Sequence, residues 1–266
     1  MIIVTYGGGT NSTAILVGMY ERGERPDVIL FADTGGEKPH TYDNIKEVSA
    51  WCASVDFPTI TIVRGSMPQQ IKDGSLENEC LRLGTLPSKA YGFSQCSQKW
   101  KIDPVNKYLK ALSEEIGVPL LEMIRVVGFD ADEPERYERS ERYKDKHINP
   151  QRYPLIEWDW GRDDCVEAIK RAGLRQPGKS ACFYCPSSKK NEIIWLKKEH
   201  PDLFARAIEI ERKARAGEGQ AEPSRCGLGR AFTWATFIEE YEQDPINACD
   251  LKRDTVEVDC GCYDGE

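Results

Sequence analysis

The sequence predicts an α/β protein built on a doubly wound, mostly parallel sheet. Short β-branched and apolar runs alternate along the chain with stretches of helical periodicity, as in proteins made of βαβ units. The first two runs end in glycines, in the second case with an acidic residue, and open α/β sheets bind ligands at that edge. The predicted strands are Ile2–Thr5 and residues 28–32, 60–63 and 124–129.

Length and composition fit one large α/β domain, or one domain with a smaller appendage, because the chain has 266 residues, 40% hydrophobic and 30% charged. The net charge of -8 argues against broad, sequence-independent nucleic-acid binding, although a local basic groove is compatible with it. The first strand begins at Ile2 and no apolar run approaches membrane-spanning length, so we expect a cytoplasmic protein without membrane association. Its ten cysteines are then expected to be reduced thiols or metal ligands.

A glycine turn connects the first strand to a helical run that ends near Glu21. Glycines let the backbone approach a ligand, and the free N–H groups at a helix start favour phosphate. The spacing matches neither the Walker loop nor the dinucleotide-binding fingerprint. The alternative is a turn that only joins a strand to a helix. The candidate nucleotide-binding residues here are Tyr6, Gly7, Gly8, Gly9, Thr10, Asn11, Ser12 and Thr13.

The sequence from Gly8 to Ser12 resembles the pyrophosphate loop, Ser-Gly-Gly-x-Asp-Ser, of the adenine nucleotide alpha hydrolase (PP-loop ATP pyrophosphatase) superfamily. Within it, the chain is most similar to the phosphoadenosine phosphosulfate (PAPS) reductase-like family. That resemblance implies the same fold and ATP or a related adenine nucleotide as ligand. Gly7 replaces the usual Ser and Asn11 the usual Asp. The second replacement removes a contact on the magnesium side, so use of Mg²⁺ stays an open expectation.

Two further nucleotide contacts are expected after the second and third strands. Asp33, Thr34 and Gly35 are similar to the start of the family's Asp-Thr-Gly-x-x-x-Pro-Glu-Thr segment, in which His40 replaces the Glu. The resemblance implies that this loop lies against the sugar and base. Arg64 follows the third strand, and its guanidinium is expected to meet either a phosphate or a carboxylate.

Residues 66–95 lack clear periodicity and suggest an insertion over the binding edge of the sheet. The segment from Cys96 to Pro104 that follows is similar to the family's Cys-Thr-x-x-Leu-Lys-x-x-Pro. By this resemblance Cys96 approaches the active site and Lys101 the phosphates. The alternative for Lys99 and Lys101 is a solvated helix face.

A loop after the fourth strand resembles the segment of the family that closes over the nucleotide. It begins at Gly128 and supplies Glu133 and Arg136 as candidates for polar roles at the phosphates. The charged run 135–146 is otherwise expected to be a mobile, solvated segment.

The carboxyl-terminal part is expected to be helical. Residues 153–158 are similar to the family's Tyr-Pro-Leu-x-x-Trp, which starts that part, so we divide the chain into a nucleotide-binding domain 1–150 and a helical part 151–266. Periodicity predicts helices over 163–172, 192–198, 203–215 and 232–241, with a linker at 217–224.

A Cys-x-x-Cys turn at Cys182 and Cys185 brings two thiols to one point, which suits a metal or thiol exchange. The iron–sulfur branches of the family add a cysteine of the Cys96 type. These three residues are therefore the candidate ligands of an iron–sulfur cluster, with zinc as the alternative. The fourth ligand is expected to be Cys262, Cys260 or an exogenous group. In contrast, Cys52, Cys80 and Cys165 are expected to be buried small hydrophobes.

Three functions follow from these residues. The first is cleavage of the nucleotide at the α-phosphate into AMP and pyrophosphate, coupled to sulfur transfer at the cysteine site, with a nucleic acid or a sulfur donor as a further partner. The second is reduction of PAPS or adenosine phosphosulfate by Cys260 as nucleophile, although the tail lacks the histidine of the reductases. The third is a non-catalytic nucleotide-binding accessory protein. A homodimer is compatible with each.

Overall fold

The computed structural model describes residues 1–65, 74–142 and 148–244. In these ranges five strands form one parallel sheet in the order β3-β2-β1-β4-β5. The chain winds outward from β1 to β3 and then returns to the other side of β1, which confirms the doubly wound α/β fold. The strands are β1 Ile2–Thr5, β2 Val28–Asp33, β3 Ile60–Arg64, β4 Ile124–Val126 and β5 Gln151–Arg152.

The helices connect the strands and then form most of the second half of the described chain. A π-helical turn, Gln98–Ile102, joins α4 to α5. In the part of the chain that the structure describes, no helix is long and apolar enough to cross a membrane. The helices are α1 Thr10–Glu21, α2 Pro39–Ser54, α3 Leu76–Leu83, α4 Gln95–Ser97, α5 Asp103–Ile116, α6 Pro134–Arg142, α7 Pro154–Glu157, α8 Arg162–Arg171, α9 Lys190–Glu199, α10 Pro201–Ala216 and α11 Trp234–Gln243.

Both faces of the sheet are buried, as expected for parallel strands. Alternate residues of one strand point to opposite faces, so Val4 packs with α1, α2 and α8 while its neighbour Ile3 packs with α5. Both side chains are fully buried. The apolar runs that predicted the strands are therefore explained by burial on two sides.

A third apolar cluster holds the helical part together. It centres on Trp100 and Trp234 and includes residues of α3, α9, α10 and α11. Leu155 and Ile169, however, belong to the core of the sheet, so the residues that directly follow position 150 pack against the strands. The division into 1–150 and 151–266 stays a prediction.

Two segments differ from their sequence-based expectation. The region expected to be an irregular insertion contains α3, whose start is capped by Ser75 because its Oγ accepts a hydrogen bond from Asn78 N. The run expected to be a mobile, solvated segment contains α6, and Ser140 of that helix is buried against the Tyr153 hydroxyl at 2.6 Å. The cap of α3 is local, but Glu77 of that helix also pairs with the distant Arg206, and local periodicity reports neither this contact nor the burial of Ser140.

Candidate nucleotide loop and cysteine pocket

The glycine turn after β1 leads directly into the N-terminus of α1. Gly8 has a φ of +79°, and a Cβ placed there would lie 2.9 Å from Thr41 Cγ2, so both conformation and space require glycine. Within the described residues, the backbone N–H groups of Thr10, Asn11 and Ser12 donate to no protein acceptor. Three free donors at the positive end of a helix form a site suited to phosphate oxygens.

Two of the predicted nucleotide-binding side chains face the interior. Tyr6 is fully buried, and its hydroxyl contacts Thr13 Oγ1 at 3.1 Å and accepts a hydrogen bond from Asn44 Nδ2 at 2.7 Å. Thr13 Oγ1 also donates to the carbonyl of Gly9 at 2.9 Å. Burial raises the pKa of Tyr6 far above its usual range. The side chains of Tyr6 and Thr13 therefore stabilise the loop from the protein interior and do not face a ligand.

The Asn11 side chain connects the loop to the segment after β4. Its Nδ2 donates to Asp130 Oδ2 at 3.0 Å, and it lies 3.3 Å from the Gly128 carbonyl and 3.4 Å from Glu133 Oε2. Its Oδ1 accepts a hydrogen bond from Arg162 Nη1 at 3.3 Å. The amide is thus matched to two carboxylates on one side and a cation on the other.

The structure places three of the predicted residues after β4 at this loop. Arg136 Nη1 donates to both oxygens of Glu133, at 2.6 and 2.7 Å, and its guanidinium lies 4.6 Å from the centre of the Phe129 ring. Gly128 lies against the loop, since a Cβ there would be in van der Waals contact with Asn11 Cβ at 3.4 Å. Glu133 and Arg136 form one ion pair beside the start of α1, so they are positioned to act together.

The Asp33 carboxylate is already bonded on both oxygens. Arg64 donates to Oδ2 from Nε at 3.0 Å and from Nη2 at 2.7 Å, while Tyr42 Oη and Gly35 N each donate to Oδ1 at 2.8 Å. Burial and the negative charge of Asp33 raise the pKa of Tyr42. Of the two expectations for Arg64, the structure shows the contact with a carboxylate.

The three candidate metal ligands of the described chain line one pocket. This cysteine pocket is lined by Thr34, Leu76, Pro87, Lys89, Cys96, Ser97, Lys101, Cys182, Tyr184, Cys185 and Pro186. Cys182 Sγ lies 3.2 Å from Thr34 Oγ1, at the carboxyl end of β2, and 3.9 Å from Glu37 Oε1. Residues distant in sequence therefore meet at the edge of the sheet where the nucleotide loop also begins.

Lys101 lies in this pocket, with its ammonium 3.2 Å from Glu37 Oε1 and both side chains almost fully buried. Glu37 Oε2, Ser97 Oγ and Tyr184 Oη are buried and have no hydrogen-bond partner among the described residues. Burial, together with the Glu37 charge, raises the pKa of the Cys182 thiol, and the Lys101 charge opposes that shift. The predicted approach of Lys101 to the phosphates stays a prediction, beside this observed contact with Glu37.

The chemistry of the thiols fits the cofactor that the resemblance implies, since thiolates favour iron–sulfur clusters and zinc. Buried polar atoms without partners in the same region also fit a group that is bound there. In the described ranges, no three His, Cys, Asp or Glu side chains converge closely enough to hold a metal ion. Cys96, Cys182 and Cys185 thus share a pocket, and binding a cluster would have to draw their sulfurs together. Cys260 and Cys262 lie outside the described residues.

One segment runs from the nucleotide loop to the cysteine pocket. Gln176 Nε2 donates to Thr10 Oγ1 at 2.7 Å, and six residues later Cys182 forms a backbone bridge with Glu37. Between them, Lys179 Nζ donates to Glu192 Oε2 at 2.9 Å. We call residues 176–182 the connecting segment. It is in direct contact with both parts of the candidate site.

Several polar residues of the site were missed by sequence reasoning. Arg162 and Gln176 lie outside every motif, and only the folding of the second half of the chain brings them to the loop. Glu37 lies within the Asp33 segment, where its charge next to the glycines was the signal that could have identified it. Cys52, Cys80 and Cys165 are buried as expected, and burial raises the pKa of each thiol.

A scan against protein-family models finds no match. The chain is 22% identical over 193 residues to the uncharacterized protein MJ0973 of Methanocaldococcus jannaschii, covering 70% of this chain and 41% of that protein. It is 22% identical over 230 residues to MJ0066 of the same organism, covering 82% and 44%. The chain therefore spans less than half the length of these curated relatives. It is also similar to the U34-tRNA thiolase NcsA of Methanococcus maripaludis, solved with its [4Fe-4S] cluster, with a TM-score of 0.41, 15% identity, and coverage of 84% and 74%.

Proposed function

We propose that this protein binds ATP or a related adenine nucleotide at the glycine loop and cleaves it at the α-phosphate, coupled to sulfur transfer at the cysteine pocket. The observation that carries the proposal is the meeting of two sites at one edge of the sheet. Unpartnered N–H groups begin α1 after β1, and three thiols surround the end of the neighbouring strand β2. The loop sequence supports membership of the adenine nucleotide alpha hydrolase superfamily, with the PAPS reductase-like family as the finer assignment.

The N–H groups of Thr10, Asn11 and Ser12 would donate to phosphate oxygens and stabilise the negative charge that grows in the transition state. Arg162 adds a positive charge beside this turn, and Asn11 holds its guanidinium through Oδ1. Glu133 and Arg136 lie on the opposite side of Asn11, where the segment after β4 would close over the nucleotide. An oxygen of the acceptor would attack the α-phosphorus, so that a P–O bond to the acceptor forms as the bond to pyrophosphate breaks. Sulfide-level sulfur from the donor would then displace AMP from the adenylated acceptor.

At the second site, Cys96, Cys182 and Cys185 would hold an iron–sulfur cluster, or zinc in the alternative. A bound cluster supplies a thiophilic metal centre that can carry sulfur or electrons. Lys101 provides a positive charge that partly opposes the rise in the pKa of Cys182 caused by burial, and ligation requires the thiolate. Glu37 keeps that ammonium in place.

The test is anaerobic purification followed by assays of iron, acid-labile sulfide, zinc and pyrophosphate release from ATP. We expect iron and sulfide in the wild type, loss of both in Cys182→Ala, and retention in Cys165→Ala, whose thiol lies in the core of the sheet. Zinc instead of iron would make the cysteines structural. Equal metal content in the two variants would overturn the metal site, and absence of pyrophosphate release with every tested acceptor would favour the accessory protein.

A further inference from the structure

A second cavity, of about 360 Å³, lies in the helical part between α9, α10 and α11. Its wall is formed by Lys190, Arg215, Arg225, Gly227, Arg230, Ala231, Phe232, Thr233, Thr236, Phe237 and Glu240. Four cationic side chains thus face one carboxylate in a chain whose net charge is -8. We call this cavity the basic pocket.

Among the described residues, three arginines of the basic pocket form no ion pair. Arg215 Nη1 donates to the carbonyl of Arg225 at 3.5 Å, and Arg230 Nη2 donates to Ser187 Oγ at 3.2 Å. Within the ranges that the structure describes, Arg215, Arg225 and Arg230 have no carboxylate partner. Other exposed arginines of the chain, such as Arg171 and Arg212, are paired with glutamates. The basic pocket therefore brings together three arginines that lack a carboxylate partner among the described residues.

The N-terminus of α11 does not supply the anion-binding groups of the basic pocket. The buried Glu211 carboxylate accepts hydrogen bonds from Trp234 N at 3.0 Å and Ala235 N at 3.2 Å, so these donors of the helix start are occupied. The arginine side chains supply the anion-binding groups. A guanidinium matches the oxygens of a phosphate with parallel N–H donors, and the apolar floor of Phe232 and Phe237 lowers the local dielectric around it.

The backbone at Arg230 supports a functional role. Its φ of +64° lies in the left-handed region, in a tight turn in which Arg230 N donates to the Gly227 carbonyl at 2.9 Å. Glycine adopts this conformation without steric cost, whereas a long side chain is strained there. Backbone strain is often retained at functional sites, and Arg230 combines it with a guanidinium that has no carboxylate partner among the described residues. This combination points to an anionic ligand for Arg230.

We infer that the basic pocket binds a phosphate group of the acceptor substrate. Its place in the molecule favours the acceptor, because Ser187 accepts a hydrogen bond from Arg230 and donates its N–H to Cys185 Sγ at 3.5 Å. A ligand held here by its phosphate lies next to the cysteine pocket. The phosphate belongs either to a nucleic-acid backbone or to a small phosphorylated compound. That the ligand is the acceptor rests on the proposed function, whereas phosphate binding by the pocket does not.

The experiment measures binding of a fluorescein-labelled single-stranded RNA by anisotropy, and of inorganic pyrophosphate by calorimetry, with the glycine loop saturated by a non-hydrolysable ATP analogue. Arg225→Gln and Arg230→Gln are compared with Lys198→Gln, which removes an exposed charge of α9 outside the pocket. We expect each arginine variant to weaken binding about fivefold and to reduce the salt slope by about 0.7, and the lysine variant to change neither. An effect on RNA assigns the ligand to nucleic acid, and an effect on pyrophosphate alone assigns it to a small phosphate.

Arg230→Gly separates binding from folding. The substitution relieves the left-handed backbone, so the melting temperature should rise while affinity for the phosphate ligand falls about fivefold. If the arginine variants bind both probes as tightly as the wild type, the basic pocket is not a phosphate site. Failure of the proposed function would give a different result. The wild-type protein would then not bind ATP, but its binding of RNA or pyrophosphate would still depend on Arg225 and Arg230.

Discussion

Asn11 Nδ2 donates to Asp130 Oδ2 across a distance of 3.0 Å, in a contact that is closed to solvent on both sides. The loop of the resembling family has an Asp at this position. In this protein Asp130 carries the carboxylate instead, and the Asn11 amide donates the hydrogen bond that this carboxylate accepts. The replacement is therefore matched by its surroundings, which favours an altered site over a degraded one.

Asn11→Asp should lower stability by about 2 kcal/mol and weaken ATP binding, because a third carboxylate would face Asp130 and Glu133 without a donor between them. Urea unfolding and calorimetric titration with ATP measure the two effects. The double variant Asn11→Asp/Asp130→Asn restores one donor and one acceptor, so it should recover most of the stability. If Asn11→Asp alone instead binds ATP more tightly and releases more pyrophosphate, the natural site with Asn11 has lost catalytic activity.

Gly8→Ala should cost about 3 kcal/mol and abolish nucleotide binding, since the new Cβ combines a left-handed backbone with overpacking against Thr41. Gly23→Ala is the matched control. Gly23 has a φ of +70°, with no atom within 4 Å of the added Cβ, so only the conformational cost of about 1 kcal/mol applies. Thermal unfolding and ATP titration compare the two. If Gly8→Ala and Gly23→Ala lose the same stability, Thr41 moves away from the added Cβ at no cost.

Arg64→Ala should leave the Kd for ATP unchanged within about twofold and lower stability by about 1 kcal/mol, because Arg64 bonds to Asp33 and its side chain is 66% exposed. Arg175→Ala removes a comparably exposed guanidinium from Glu47 and serves as the control for charge. A tenfold or larger increase in Kd for Arg64→Ala alone would indicate that the guanidinium leaves Asp33 for a phosphate.

Glu192 receives two buried lysines, with Lys38 Nζ at 3.0 Å and Lys179 Nζ at 2.9 Å. Burial alone would raise the pKa of Glu192, but attraction to these lysines lowers it below its ordinary value. A carboxyl whose pKa is lower in the folded state stabilises the protein above its unfolded pKa. That stabilisation is lost as the pH falls through the folded value. We therefore expect stability to decrease as the pH falls below about 4.5, the ordinary pKa of a glutamate.

Glu192→Gln should remove this pH dependence and cost about 3 kcal/mol near neutral pH, because it leaves two buried ammonium groups without their carboxylate. Urea unfolding across the acidic range measures both effects. Glu167→Gln, which breaks a pair between exposed side chains on α8, is the control and should change stability little. If the free energy of unfolding of the wild type and of Glu192→Gln depends on pH in the same way, the acid sensitivity belongs to other groups.

Features that depend on local sequence were predicted well. The four predicted strands and the helix after the glycine turn follow from residue type and periodicity, and the structure confirms them, although β4 ends at Val126 and not at residue 129. The fifth strand was missed because β5 has only two residues and no apolar run. The helices α3 and α6 were missed because cap and tertiary contacts decide them.

The sequence by itself determined the fold class, the glycine loop and the residue types of the candidate nucleotide and thiol sites. Only the tertiary structure decided which partners these residues have: Asn11 meets Asp130, Lys101 meets Glu37, Arg64 meets Asp33, and Cys96 shares a pocket with Cys182. The reason is physical. Backbone conformation and burial are governed by neighbours a few residues away, whereas charge pairing and ligand geometry depend on side chains that come from distant elements and meet only when the chain has folded.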